Sequence, residues 1–436
     1  MQKPTLVFSP QRNAIPSQGG TVDLLFRVQA PDRPAEFVTI HTPKRLSLVV
    51  DRSGSMRGRP LDEALKCVLH ISQHLTPKDD LSFVVYDSEV NVIMPIGPML
   101  SQSAVQAAAS QVRSGGSTNL HGGWLAGAEE LEGGSEKSIS RVILLSDGQV
   151  NFGIRSHSEI QNQCATWLGK GVSTSTVGLG RSFNEELMVG MAQAGGGQNY
   201  YGQRAEDLFD SFDEELSLLQ AMYMRKLSVK FIPAAGVIIE MLSNAPQQPD
   251  GSYRMTDLAW DAESWLAMRL HVSPSATATT RDLLAATLTG TSMEGESIEI
   301  SAPLLQLEAL NEADYAGLPN DEMVQRRLDE VRFAKASKRL RELAEAGLID
   351  EARWLLDSLE AEFGRNEWVR AKISQLRNMI EEDVMMMMKE AHYSAMKMSN
   401  RLASKDEMAY SMDETELDIP SFLRKKESEG RGRARR

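Results

Sequence analysis

The stretch Leu46-Ser-Leu-Val-Val-Asp51-Arg-Ser53-Gly-Ser55-Met56 decides how the chain is read. It begins as a short apolar run of β-formers that stops at an acid, the pattern of a buried strand running into a loop. Ser53 and Ser55 follow at alternate positions, and Gly54 between them lets the loop curl so that both hydroxyls converge. One carboxylate and two hydroxyls on one short loop are donors that suit a hard cation such as Mg²⁺, which keeps some water in its shell.

Outward from that loop, residues 46–222 alternate strand and helix signals. Leu46–Val50, Leu81–Tyr86, Asn91–Pro95, Arg141–Leu145 and Val172–Gly178 read as strands, with helical patterns between them. This predicts an α/β fold, a doubly wound and mostly parallel sheet with helices on both faces. Ligands of such sheets bind at the carboxyl ends of the strands, where Asp51 and Asp147 both fall. Residues 1–45 and 223–310 carry short strand-like runs punctuated by Pro and Gly, Val38–His41 among them. The first of these segments is too short to bury a core alone, and the periodicity permits the two to form one β-sandwich. Residues 311–390 read as helical. Asn320, Asp350 and Asn366 are candidate N-caps there, and Gly347 and Gly364 candidate ends. Ala344–Leu356 has the look of a helical hairpin. Residues 391–436 turn to Met, Ser, Lys and acids with little periodicity, and a disordered tail is expected.

Two more loops bear on the site: Ser114-Gly-Gly-Ser-Thr118-Asn-Leu and Leu144-Leu-Ser-Asp147-Gly-Gln. With Asp51-x-Ser53-x-Ser55 ahead of them, they make the chain similar to von Willebrand factor A domains that carry a metal-ion-dependent adhesion site. The resemblance implies that Asp51, Ser53, Ser55, Thr118 and Asp147 are metal ligands, some through water. The ion would be Mg²⁺ (or Mn²⁺ or Ca²⁺), with one position left for a partner's Asp or Glu. It also implies that the α/β domain is inserted in the β-sandwich. Intracellular bacterial members of the family are often built alongside AAA+ ATPases, kinases or phosphatases. Gly115-Gly116 has no Lys at the spacing of a phosphate-binding loop, so that reading is excluded.

The tail holds one apolar island. Asp418-Ile419-Pro420-Ser421-Phe422-Leu423-Arg424 resembles the C-terminal peptide of the FtsZ family of tubulin-like bacterial division proteins, Asp-Ile-Pro-Ala-Phe-Leu-Arg. The resemblance implies a docking peptide within residues 417–426. Ile419, Phe422 and Leu423 would form its apolar face, Pro420 would stiffen it, and Asp418 and Arg424 would set its register.

Composition sets the outer limits. A chain of 436 residues, 42% hydrophobic and 25% charged, is ordinary for two or three globular domains. A net charge of −13 argues against bulk nucleic-acid binding. Cys67 and Cys164 are expected to be buried free thiols, since two cysteines make no disulfide framework. The N-terminus shows no leader pattern and no run approaches a membrane span, so a cytoplasmic protein without a transmembrane segment is expected. His70, His74, His121 and His157 lie beside no nucleophile motif, and no catalytic residue is assigned. His121 follows the Thr118 loop, as a surface residue or a neighbour of the site. Met385–Met388, Trp354 and Trp368 are expected to be packing residues, and the basic end from Arg424 a solvated one. The expected function is a non-enzymatic adaptor or scaffold with two handles for protein partners, the metal site and the tail peptide. Two alternatives stay open: a Mg²⁺-dependent hydrolase or activator subunit of an ATPase complex, and a self-assembling structural protein.

Overall fold

The computed structural model describes residues 2–34, 42–135, 137–147, 150–179, 183–202, 204–274, 280–384, 387–388, 390–391 and 402–404. The tail peptide and residues 35–41, which include the Val38–His41 run, lie outside the described residues. The chain forms two units. One is Ala35–Ala221 with Met293–Gly295, and the other is Met1–Pro34, Met222–Ser292 and Glu296–Arg436.

In chain order the elements are β1 (Thr5–Pro10), β2 (Ile15–Pro16) and β3 (Gly20–Gln29), then β4 (Lys44–Asp51), α1 (Arg59–Gln73), β5 (Asp80–Tyr86), β6 (Val90–Pro98), α2 (Gln102–Ser110), α3 (Leu120–Glu130), β7 (Ile139–Ser146), α4 (His157–Gly169), β8 (Val172–Leu179), α5 (Glu185–Ala194), β9 (Gly196–Gly202) and α6 (Glu206–Gln220). They continue with β10 (Met222–Pro233), β11 (Val237–Met241), β12 (Tyr253–Arg254), β13 (Leu258–Ala259), β14 (Ala262–Val272), β15 (Thr280–Ser292), β16 (Ser297–Ser301), β17 (Leu305–Leu310), α7 (Glu312–Gly317), α8 (Glu322–Glu345), α9 (Ile349–Phe363), α10 (Glu367–Glu382) and β18 (Ala403–Ser404).

The unit of residues 35–221 is the expected α/β fold. Its sheet runs β6-β5-β4-β7-β8-β9, with every neighbour parallel except the edge strand β6. β4, β7 and β8 are covered on both faces, which is why they read as unbroken strands rather than as alternating ones. Trp124 of α3 is fully buried among Val49, Val142 and Leu144, and its Nε1 donates to Thr174 Oγ1 at 3.0 Å. That bond satisfies the one polar group the indole takes into the core. Gly123 lets α3 lie this close, since a Cβ there would meet the Tyr86 ring at 2.2 Å. Cys67 and Cys164 are buried and free, as expected.

The second unit holds two further sheets, ordered β1-β3-β14-β11, with β18 on β14, and β12-β10-β15-β17-β2, with β13 on β10 and β16 on β15. Phe26 of β3 meets Phe231 of β10 edge-on at 5.2 Å, so the sheets pack face to face. The outer face of β3 is covered in turn, because Leu25, Trp265 and Ala267 pack with Val324, Leu328 and Val331 of α8. Two acids are held in the same layer. Glu263 receives Arg27, Gln29 and Arg327, and Asp23 receives Arg269 and Arg332. Behind them α8, α9 and α10 share a core of Phe333, Leu340, Leu356, Leu359, Ile373 and Leu376.

Several local expectations change. Asp321, not Asn320, caps α8, because its carboxylate is the group placed to accept the Val324 N–H at 2.9 Å. Leu348 precedes α9 with no side-chain bond, and Asp350 sits inside the first turn, where an acid still favours the positive end of the helix. Asn366 caps α10 as expected, and Gly347, with φ of +73°, ends α8. Trp368 is packed in the helical core, but Trp354 is 71% exposed and anchors nothing there. β9, β15 and β17 carried no strand signal. Arg281-Asp-Leu-Leu-Ala-Ala-Thr-Leu within β15 is rich in helix formers, and its pairing with β10, β16 and β17 overrides that preference. Among the described residues no helix is long and apolar enough to cross a membrane.

Candidate metal centre

Asp51 ends β4 and Ser146 ends β7, the adjacent parallel strand, so the loops that follow both leave from the carboxyl edge of the sheet. The Asp51 carboxylate is completely buried and held from three sides. Oδ1 accepts the Ser53 N–H at 2.8 Å, and Oδ2 accepts the Ser146 hydroxyl at 2.6 Å and the Tyr86 phenol at 3.3 Å. Ser53 Oγ then lies 3.1 Å from Ser55 Oγ.

The loop carrying Thr118 is tied to this one by its backbone. Gly54 N–H donates to the Gly116 carbonyl at 3.1 Å, and Gly115 N–H to the Arg52 carbonyl at 2.8 Å. Gly116 makes the closeness possible. Its φ is +69°, and a Cβ would meet Ser88 Oγ at 2.9 Å. The Arg52–Asp87 ion pair at 3.1 Å and the Asn119 N–H on the Asp87 carbonyl brace the same corner. Thr118 is buried. Its N–H donates to Asn151 Oδ1 at 2.7 Å and its carbonyl accepts from Asn151 and Phe152. Asp147, also buried, accepts the Asn184 N–H on its backbone carbonyl at 3.0 Å.

Electrostatics agree with the geometry. Burial pushes the Asp51 carboxyl up to about 6, hydrogen bonds from Ser146 and Ser53 oppose the rise, and the charge of Asp147 adds to it. Burial, and then the charge of Asp51, push the Tyr86 phenol far above its usual value, so it stays a neutral donor. The buried Asp51 is costly to ionise, and a divalent cation would remove that cost. The spacing of the two serine oxygens suits such an ion. Cis ligands of an octahedral Mg²⁺ bound at 2.0–2.1 Å stand about 2.9 Å apart, close to the separation of the two serine hydroxyls.

Three supporting residues lack an isolated sequence signal: Tyr86, Ser146 and Asn151. Ser146, a small polar residue at the end of an apolar strand and just before Asp147, is the one a closer reading could find. His121 is not a surface residue. It is buried, its Nε2 pairs with Gln163 Oε1 at 2.9 Å, and it packs near Trp124.

The von Willebrand factor type A domain profile matches residues 46–215. An uncharacterized protein of Synechocystis sp. is 24% identical over 248 residues, or 53% of this chain and 57% of that protein. Inter-alpha-trypsin inhibitor heavy chain H3 of Homo sapiens is 30% identical over 159 residues, or 34% of this chain and 18% of that protein. The chain thus spans little more than half of the first relative and under a fifth of the second. Among solved structures, a von Willebrand factor type A protein from Catenulispora acidiphila aligns with a TM-score of 0.68 at 16% identity, covering 86% of this chain and 90% of that one. The ArnB paralog VWA2 from Sulfolobus acidocaldarius aligns with a TM-score of 0.59 at 18% identity, covering 89% and 98%. The shared fold therefore extends well past residues 46–215.

Proposed function

Because residues 46–215 form a von Willebrand factor type A domain, we propose that the carboxyl edge of its sheet binds one divalent cation and, through it, an acidic residue of a protein partner. Ser53, Ser55 and Thr118 would offer hydroxyl oxygens, and Asp147 a carboxylate. Asp51 already accepts three hydrogen bonds, which leaves about one of its four acceptor positions. It would act mainly through charge and by holding Ser53. When bound, the cation supplies an electrophilic position that favours an anionic oxygen. Mg²⁺, Mn²⁺ or Ca²⁺ would each suit an all-oxygen donor set.

The observation that carries this reading is the 3.1 Å separation of Ser53 Oγ and Ser55 Oγ beside a buried Asp51 held by hydrogen bonds. The hydrogen bond between the two hydroxyls keeps both oxygens within reach of one ion. The protein then works as a non-enzymatic adaptor or scaffold. Residues 417–426 are a second handle in this proposal, supported by their sequence.

A Mn²⁺ titration followed by electron paramagnetic resonance tests the site. Wild type should show a site that Mg²⁺ displaces, and Asp147→Ala should lose it. Equal affinity in both proteins would overturn the reading. The adaptor role is tested by binding of an acidic peptide, which should need the cation and should vanish with chelator.

A further inference from the structure

We propose a second metal site on the same domain, built from His70, His74 and Asp213 and suited to Zn²⁺ rather than Mg²⁺. His70 lies in the last turn of α1 and His74 caps that helix, so the i, i+4 spacing brings the two imidazoles together, with ring centroids 4.7 Å apart and planes tilted by 53°. Asp213 comes from α6, a different helix. Its Oδ1 is 2.8 Å from His70 Nε2 and 3.5 Å from His74 Nε2. One ligand atom from each of the three residues lies within 4.8 Å of the others. Two ligands on a tetrahedral Zn²⁺, with bonds of about 2.0–2.1 Å, stand about 3.4 Å apart. The His74–Asp213 pair stands at about that spacing, the hydrogen-bonded His70–Asp213 pair would open slightly to admit the ion, and the half-exposed side chains of His74 and Asp213 leave the site open to water as a fourth ligand.

The orientation of the rings is the second observation. His74 Nδ1 is 2.9 Å from the backbone carbonyl of His70. A carbonyl only accepts, so Nδ1 is the donor, and this bond holds the ring with Nε2 turned toward Asp213. An imidazole fixed by its other nitrogen is the usual arrangement of a metal-bound histidine. The His70 ring is fixed differently. It lies flat on Phe209, with centroids 4.0 Å apart and planes 6° from parallel. Phe209 and Asp213 are themselves i, i+4 on α6, so that helix supplies both the platform and the carboxylate. The donor set separates this site from the serine-rich one. Two imidazoles and a carboxylate suit a borderline ion, whereas hydroxyls and carboxylates suit a hard one. The two sites also lie at opposite ends of α1, whose 15 residues span about 22 Å. Bound zinc would clip the end of α1 to α6.

Calorimetric titration of Zn²⁺ into the untagged full chain tests this, with excess Mg²⁺ present to hold the oxygen site. Wild type should bind one ion at this site. His74→Ala and Asp213→Asn, both at solvent-facing side chains, should weaken it by about 10- to 100-fold. Co²⁺ gives an independent readout, since a visible absorption band should form in wild type and be lost in His70→Ala. Thermal melts should rise with Zn²⁺ in wild type only. Zinc affinity unchanged across the variants, or a cobalt spectrum that keeps its band without His70, would overturn the proposal.

Discussion

Two buried acids in this protein have opposite fates. Glu263, in the sandwich unit, is as deeply buried as Asp51, yet it meets the guanidinium groups of Arg27 and Arg327 and the amide of Gln29. Burial raises its carboxyl, but the charges of Arg327 and Arg27 and their hydrogen bonds outweigh that, and the net shift is downward. Asp51 meets neutral donors only, among the described residues, and is pushed up to about 6. An acid matched by fixed cations is part of the frame. One surrounded by neutral hydroxyls at a strand end has no fixed cation to match it, which is what the proposed metal site would supply. Glu215 shows that the α/β domain can build either kind. It is buried under Arg141, Ser175 and Tyr200, and its carboxyl is lowered because the Arg141 charge and these bonds overcome burial.

The sharpest way to break this comparison is to remove Glu263. Glu263→Ala would leave two guanidinium groups facing a space without a counter-charge, and it should cost about 3–5 kcal/mol in urea unfolding of that unit. A loss under about 1 kcal/mol would show that the cluster is not a matched frame. Asp51→Asn should behave in the opposite way. Its neutral amide spares the cost of ionising a buried acid, so the metal-free fold should be kept, while Mn²⁺ affinity drops at least about 10- to 100-fold. In wild type that affinity should also fall as the pH drops below about 6, where a proton competes for Asp51. A flat pH profile would separate Asp51 from the binding site.

Glu215 gives a smaller, pH-dependent effect. Its folded pKa lies below its unfolded one, so its stabilisation is present above the usual carboxylate range and is lost as pH falls through the folded value. Glu215→Gln should therefore flatten the acid limb of a melting curve measured against pH. An unchanged limb would mean that other carboxylates carry it. The smallest effect is at the cap of α8. Asp321→Ala should cost about 1 kcal/mol, because one N–H loses its acceptor. A much larger loss would make Asp321 part of the frame as well.

What could be read from the residues follows from range. Asp51, Ser53 and Ser55 are neighbours in sequence, and a buried parallel strand ends where its apolar run ends, so the loop and the sheet around it were legible. Asp147 has only its strand-end position as a signal of its own, and Thr118 has none, so both become candidate ligands through the family pattern of their loops. The His70–His74–Asp213 cluster had half a signal, a His-x-x-x-His spacing on a helix, but its carboxylate comes from 139 residues further on. β15 is illegible for the same reason, since its helix-forming residues become a strand only under pairing with distant partners.

By itself, then, the sequence determined the alternation of strands and helices and the acid-and-hydroxyl loop, because both depend on contacts a few residues apart. The tertiary structure alone decided that Ser146 and Tyr86 hold Asp51, that Arg27 and Arg327 neutralise Glu263, and that α6 brings Asp213 to the end of α1. Each of these depends on groups far apart in the chain meeting away from water, where an unmatched charge is expensive and its partner decides what it does.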